Sequence, residues 1–159
     1  EEYTPSHLAT IVQRGSPEVR YDDGVLDEVA SVLRGNARAA QMMACDIQLY
    51  LKKREVFKNK DWASLRETLG ILPLGISYIE LAVLRYLAEH NIGTSLTCLS
   101  AKTGLTKESL QRDHELYLQK LGLMTITTGG REITAKGLEY LRALDGKKPL
   151  SIRGTVSAA

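Results

Sequence analysis

The chain has 159 residues, 43% hydrophobic and 25% charged, and its 21 Lys plus Arg against 19 Asp plus Glu give a net charge of +2. That length admits one medium domain or two small ones, and so even a balance gives no bulk attraction to nucleic acid or membrane. No Gly-x-x-x-x-Gly-Lys-Ser/Thr loop occurs in these residues, so this stretch cannot cradle a nucleoside triphosphate by that device.

Aromatic residues are 6% of the chain, with one Trp and one Phe, so any core must be aliphatic. Charge is uneven. Residues 1–92 carry 11 basic and 13 acidic side chains, whereas residues 93–159 carry 10 and 6. A polyanion would therefore meet the second part.

The first part reads as helices only. Thr4 caps a helix with Pro5 at its first position and Leu8, Ile11 and Val12 on one face; Gly15-Ser16-Pro17 ends it. Asp22 or Asp23 then caps a helix bearing Val25, Leu26, Val29, Val32 and Leu33. Arg34-Gly35-Asn36 breaks the pattern, and a long helix follows with Ala40, Met43, Ala44, Ile47 and Leu51 at helical spacing. Lys52-Lys53-Arg54 fits a phosphate contact or, more simply, a solvated helix end beside the negative dipole terminus. Asp61 caps a short helix with Trp62, Leu65 and Leu69, closed by Gly70. Four helices make a small bundle over 1–72, and the apolar Pro/Gly segment 73–76 is a hinge.

The second part has a different grammar. Ser77 and Glu80 form a capping box before Ile79, Ala82, Val83, Leu84 and Leu87. A short helix spans 96–103. Gly104-Leu105-Thr106 is a tight turn whose Thr caps a helix over 107–121, ended by Gly122. Met124–Thr127 and Arg131–Thr134 flank Thr128-Gly129-Gly130 as two alternating strands of a hairpin, and Thr134 caps a last helix with Leu138, Leu141 and Leu144. This order, over 77–144, predicts a winged helix-turn-helix, and residues 145–159 read as a frayed tail.

Cys45 and Cys98 lie far apart and outside any Cys-x-x-Cys spacing, and His7, His90 and His114 stand singly. No metal site is expected; the thiols read as buried in a reducing cytosol. No stretch approaches the length of a membrane span, and Glu1-Glu2-Tyr3-Thr4-Pro5 is acidic where a secretion signal would be basic. A cytoplasmic location is expected. The absence of a starting Met fits a processed or cut piece.

A winged helix-turn-helix sets its second helix in the DNA major groove and its wing on the flanking backbone. Lys107, Ser109, Arg112 and Lys120 lie on that helix, with Arg131 just past the wing turn. Glu108, Asp113 and Glu115 share the helix and bring its charge near zero, which favours sequence-independent phosphate contact over base reading. Such modules also dock proteins, so a non-catalytic DNA-binding regulator and a docking module stay open.

The order of pieces, from Tyr3 to about Leu141, resembles the C-terminal part of the RuvB family of Holliday-junction branch-migration ATPases: a helical AAA+ lid and a winged helix. Tyr3-Thr4-Pro5 is similar to the start of the family's lid, and Arg34-Gly35-Asn36-Ala37-Arg38 to its Arg-Gly-Thr-Pro-Arg element. Glu115-Leu116-Tyr117-Leu118, Gly122-Leu123, Thr128, Gly130-Arg131 and Thr134 follow its Glu-Pro-Tyr-Leu, Gly-Phe-Leu, Thr-Pro-x-Gly-Arg and Thr without a gap.

The resemblance implies that Arg38 is a sensor-2-like arginine reaching a γ-phosphate, that Tyr3 sits beside the nucleotide base, and that Arg131 contacts DNA. It implies ATP with magnesium in a whole protein, with none held tightly by this chain. A homo-hexamer, junction DNA and a RuvA-like partner are implied too. Departures are plain: Asn36-Ala37 replaces Thr-Pro, Leu116 replaces Pro, and Thr125-Ile126 and Gly129 stand where the family carries basic residues.

Overall fold

The computed structural model describes residues 2–90 and 92–146, so the tail expected over 147–159 lies outside the described residues. Two compact units divide between Tyr78 and Ile79.

In the first unit α1 (Pro5–Gly15) starts as expected: Thr4 Oγ1 accepts from the His7 N–H at 3.3 Å, and Leu8 and Val12 are buried. After α2 (Val25–Ser31), a turn with left-handed Arg34 and Gly35 leads to α3 (Ala37–Leu51). Asn36 caps α3, its Oδ1 accepting from the N–H groups of Arg38 and Ala39. The final helix, α4 (Asn59–Thr68), buries Trp62 and Leu65. These side chains join Val29, Ile47, Leu51 and Phe57 in one largely aliphatic core. Each fully buried large apolar side chain contributes roughly 1.5–3 kcal/mol.

Four expectations need correction here. The unit is not helical throughout: β1 (Arg20–Tyr21) and β2 (Val56–Phe57) pair in parallel, with the Arg20 N–H on Glu55 O at 2.7 Å. Two residues per strand are too few to show period-two alternation. Neither Asp22 nor Asp23 caps α2. The cap is Gly24 at φ 79°, because the turn needs a left-handed residue and Gly adopts it without a Cβ clash. Asp61 is the third residue of α4, not its cap; its carboxylate accepts from the Lys58 N–H at 2.9 Å. Finally, Cys45 and Cys98 are exposed, Cys45 lying next to the buried Ala44 but on the outer face of α3.

The second unit contains α5 (Tyr78–Glu89), α6 (Leu96–Thr103), and a continuous rod made of α7 (Lys107–Ser109), a π turn (Leu110–Glu115) and α8 (Leu116–Lys120). The hairpin β3 (Met124–Thr127) and β4 (Gly130–Ile133) and the helix α9 (Ala135–Gly146) follow. Ser95, Thr106 and Thr134 side chains cap α6, α7 and α9 as the sequence requires. Thr134 also donates to Gly122 O at 2.6 Å, which ties the start of α9 to the end of the rod. Asp145 and Gly146, expected in the tail, complete α9, and Asp145 holds Arg85 of α5 at 2.8 Å.

The wing has a one-residue bridge beyond the hairpin that the pattern did not reveal. Thr94 and Arg131 exchange two backbone hydrogen bonds at 2.9 and 2.8 Å, so a single residue before α6 extends the hairpin.

Candidate functional site

The rod formed by α7, the π turn and α8 is the second helix of the helix-turn-helix. Lys107, Gln111, Arg112 and Lys120 are exposed along it. Beside them stand Glu108, Asp113 and an exposed Leu116, so the face is close to neutral. Arg112 is turned onto its neighbour, with Nε 2.7 Å and Nη2 3.0 Å from the two Asp113 oxygens. The Arg112 guanidinium, helped by the Ser109 hydroxyl, holds the Asp113 carboxyl down at about 2, so this pair is charged at any working pH.

The π turn presents two adjacent side chains inward. Glu115 is buried, and His114 donates from Nδ1 to Glu80 Oε1 on α5 at 3.0 Å. Glu80 is fully buried, which a helix-capping acid need not be. Burial, then the nearby Glu80 charge, pushes the Tyr140 phenol on α9 far up. Sequence spacing did not single out this polar layer, because Glu80 already had a local role as a capping residue.

Arg131 does not stand free on the wing. Its Nε lies 2.6 Å and its Nη2 3.3 Å from the Glu115 oxygens, and its side chain is only 14% exposed. The wing tip shows Thr125, Ile126, Thr127 and Thr128, none of them cationic. The structure thus gathers Lys107, Arg112 and Lys120 on one rod and turns Arg131 in beneath it.

In the first unit, the backbone N–H of Tyr3 donates to Gly35 O at 3.2 Å. This contact sets Tyr3, with its ring half exposed and edge-on to His7, against the turn that leads to Arg38. Arg38 is exposed in the first turn of α3, and among the described residues nothing engages its guanidinium. In particular it does not pair with Asp22 or Asp23. Tyr3 thus lies against the turn that leads into the helix carrying Arg38, and the two side chains suit an aromatic contact and an oxyanion contact respectively.

The family model described as the RuvB C-terminal winged helix domain matches residues 73–142. This segment matches the RuvB winged helix. The likeness to RuvB extends well before it. The "Holliday junction branch migration complex subunit RuvB" of Treponema pallidum is 30% identical over 153 residues, covering 89% of this chain and 42% of that protein. The subunit of the same name from Ehrlichia canis is 27% identical over 149 residues, with 89% and 45% covered. The chain therefore spans less than half the length of these relatives. The solved RuvB Holliday junction branch migration motor of Thermotoga maritima has the same fold over 89% of this chain and 50% of its own, with a TM-score of 0.80 at 24% identity. A RuvB-like helical lid bundle followed by a winged helix is thus the architecture. No single helix among the described residues is long and apolar enough to cross a membrane.

Proposed function

We propose that this chain is the lid and DNA-binding portion of a RuvB-like, ATP-dependent motor that moves Holliday junctions in recombination and repair. The carrying observation is the pairing of a RuvB winged helix with a lid-like bundle whose Arg38 is exposed and unengaged. The whole motor would be a cytoplasmic homo-hexamer that meets its junction through a RuvA-like protein.

Tyr3 and Arg38 fit the rim of a nucleotide site: one ring for a base, one guanidinium for a phosphate oxygen. ATP with magnesium would supply the phosphoryl chemistry there. The chain's own residues do less. Arg38 would hold an oxyanion and pull the lid with it, and Tyr3 would limit the base on one side. The 159 residues contain no phosphate loop, so the chain alone is expected to hydrolyse nothing. In the second unit, Lys107, Arg112 and Lys120 would touch the duplex backbone without reading bases, and Arg131 would add a contact weakened by Glu115.

Duplex binding by the full chain, measured with Lys107→Ala, Arg112→Ala and Arg131→Ala variants, tests the DNA half. Affinity should fall alike on junction and arbitrary duplex, with a shallow salt slope. Strong preference for one operator sequence would overturn it, and so would DNA-stimulated phosphate release by the chain alone.

A second reading has its own observation. Both arginines at this face are tied to carboxylates, and Leu116 and Ile126 are exposed beside them. Such a face suits protein docking, and a winged helix serving a partner would show no duplex affinity above the salt-dependent background.

A further inference from the structure

A strongly positive surface also lies away from the winged helix. It lies in the first unit, around the β1–β2 pair. A cleft of about 460 Å³ opens there, and five of its seven lining residues are cationic: Arg20, Lys53, Arg54, Lys58 and Lys60. They arrive from three segments, namely β1, the α3–β2 connection and the start of α4. Glu55 is the one carboxylate in the lining.

The charges are only slightly compensated. Arg54 leans on the buried Asp61 at 3.1 Å, and Arg20 reaches Glu55 only at 4.0 Å with both side chains largely exposed. No carboxylate pairs with Lys53, Lys58 or Lys60 among the described residues. Asp61 serves a further purpose: it holds both Arg54 and the Lys58 backbone N–H, so it fixes two rims of the cleft from below. A second cleft of about 270 Å³ adjoins the first, sharing Lys53, Arg54 and Glu55 and adding Lys52, a second carboxylate from Glu18, and Val19, Gln48 and Leu51. The cations therefore continue past one ligand-sized cavity.

We infer that this paired cleft is a second polyanion site, which binds the phosphodiester backbone of a nucleic acid without reading its sequence. The 460 Å³ lining holds no aromatic ring and no amide side chain, and Val56 is its sole uncharged residue. Point charges on flexible stems, spread over two open clefts, match successive phosphates along a strand better than one compact anion. An acidic polypeptide would also be attracted, and the test below separates it from a nucleic acid. The choice of nucleic acid rests in part on the proposed function, and the test below separates the two.

The experiment uses the full chain, a fluorescent arbitrary duplex of about 20 base pairs, and anisotropy between about 50 and 200 mM salt. Lys53→Glu/Lys58→Glu/Lys60→Glu should weaken binding about tenfold or more and flatten the log–log salt slope by about 2 to 3. The milder Lys→Gln triple, checked for an unchanged melting temperature, should move both quantities the same way by less. A parallel Lys107→Glu/Arg112→Glu/Lys120→Glu variant reports on the winged helix alone. If only that variant loses affinity, the inference about the lid is overturned while the proposed function stands; if only the lid variants do, the reverse holds. Unchanged duplex binding in the lid triple, together with its loss of poly-glutamate binding, would assign the cleft to an acidic polypeptide and overturn the inference.

Discussion

Arg131 and Glu115 form a two-point ion pair between the wing and the rod, with side chains 14% and 5% exposed. Arg131 also anchors the wing by its backbone, exchanging two hydrogen bonds with Thr94. One residue thus fastens three pieces of the winged helix. Its charge is largely spent inside the fold.

Arg131→Ala is therefore expected to act on stability before it acts on DNA. It leaves Glu115 buried without its partner, at a cost of about 3 kcal/mol in urea unfolding. Replacing both residues by apolar ones, Arg131→Met with Glu115→Leu, should cost less than the single change. Glu115→Gln should do the opposite at the DNA: with the guanidinium no longer neutralised, duplex affinity rises and the salt slope steepens by about one. A double-mutant cycle giving no coupling between the two positions would remove the pair from this account.

Much of this fold was legible in the chain because its punctuation is local. Thr4, Ser95, Thr106 and Thr134 each cap the helix that follows, and one hydroxyl is enough to see that. Helix faces such as Leu8 with Val12 carry their own period. What escaped depends on partners far away in sequence. The β1–β2 pair joins residues 36 apart and is too short to leave a pattern. Arg131 reads as an exposed wing cation until Glu115 is found 16 positions earlier. The lid cleft combines Arg20 with Lys53 to Lys60, so the Lys52-Lys53-Arg54 run looked like an ordinary helix end.

The π turn over Leu110–Glu115 should be needed for both polar ties beneath the rod. Bonds from i to i+5 take one more residue per turn than an α-helix needs, and this lets His114 and Glu115 both reach inward. Inserting one Ala after the exposed Gln111, on top of the extra residue the turn already absorbs, would rotate the rod before it by about 100° relative to the rod after it. Leu110 and Glu115 could not then both stay buried. The insertion should lower stability by more than about 2 kcal/mol, with loss of the Arg131 side-chain NMR signal shift caused by Glu115. Retained stability with both ties intact would show that the register across the turn is not required.

Gly130 should resist substitution for two separate reasons. Its φ is 119°, and a Cβ there would sit 2.6 Å from Thr94 O, against the residue that pairs with Arg131. Gly130→Ala is expected to cost about 1–3 kcal/mol and to loosen the wing in preference to the helices. Amide exchange at Arg131 and Thr94 should accelerate while that in α5 holds. Gly129→Ala, at a position without a positive φ and with only the Thr127 hydroxyl nearby, should be nearly silent by comparison.

Asp61 should make the first unit sensitive to acid. Burial alone would raise its carboxyl, but the Lys58 N–H and the Arg54 guanidinium outweigh it and hold the group below the ordinary carboxylate value. A carboxyl whose folded value is depressed contributes stability above its unfolded value, near 3.9, and loses that contribution as pH falls through the folded value. Asp61→Asn is therefore expected to cost about 1–2 kcal/mol at neutral pH, most of it from the charged bond to the Lys58 N–H, because Arg54 is half exposed and screened. Wild type and variant should converge in urea midpoint as pH drops below about 4. A gap that stays constant from neutral pH down through that window would mean that the charge of Asp61 contributes nothing, and that shape alone explains its burial.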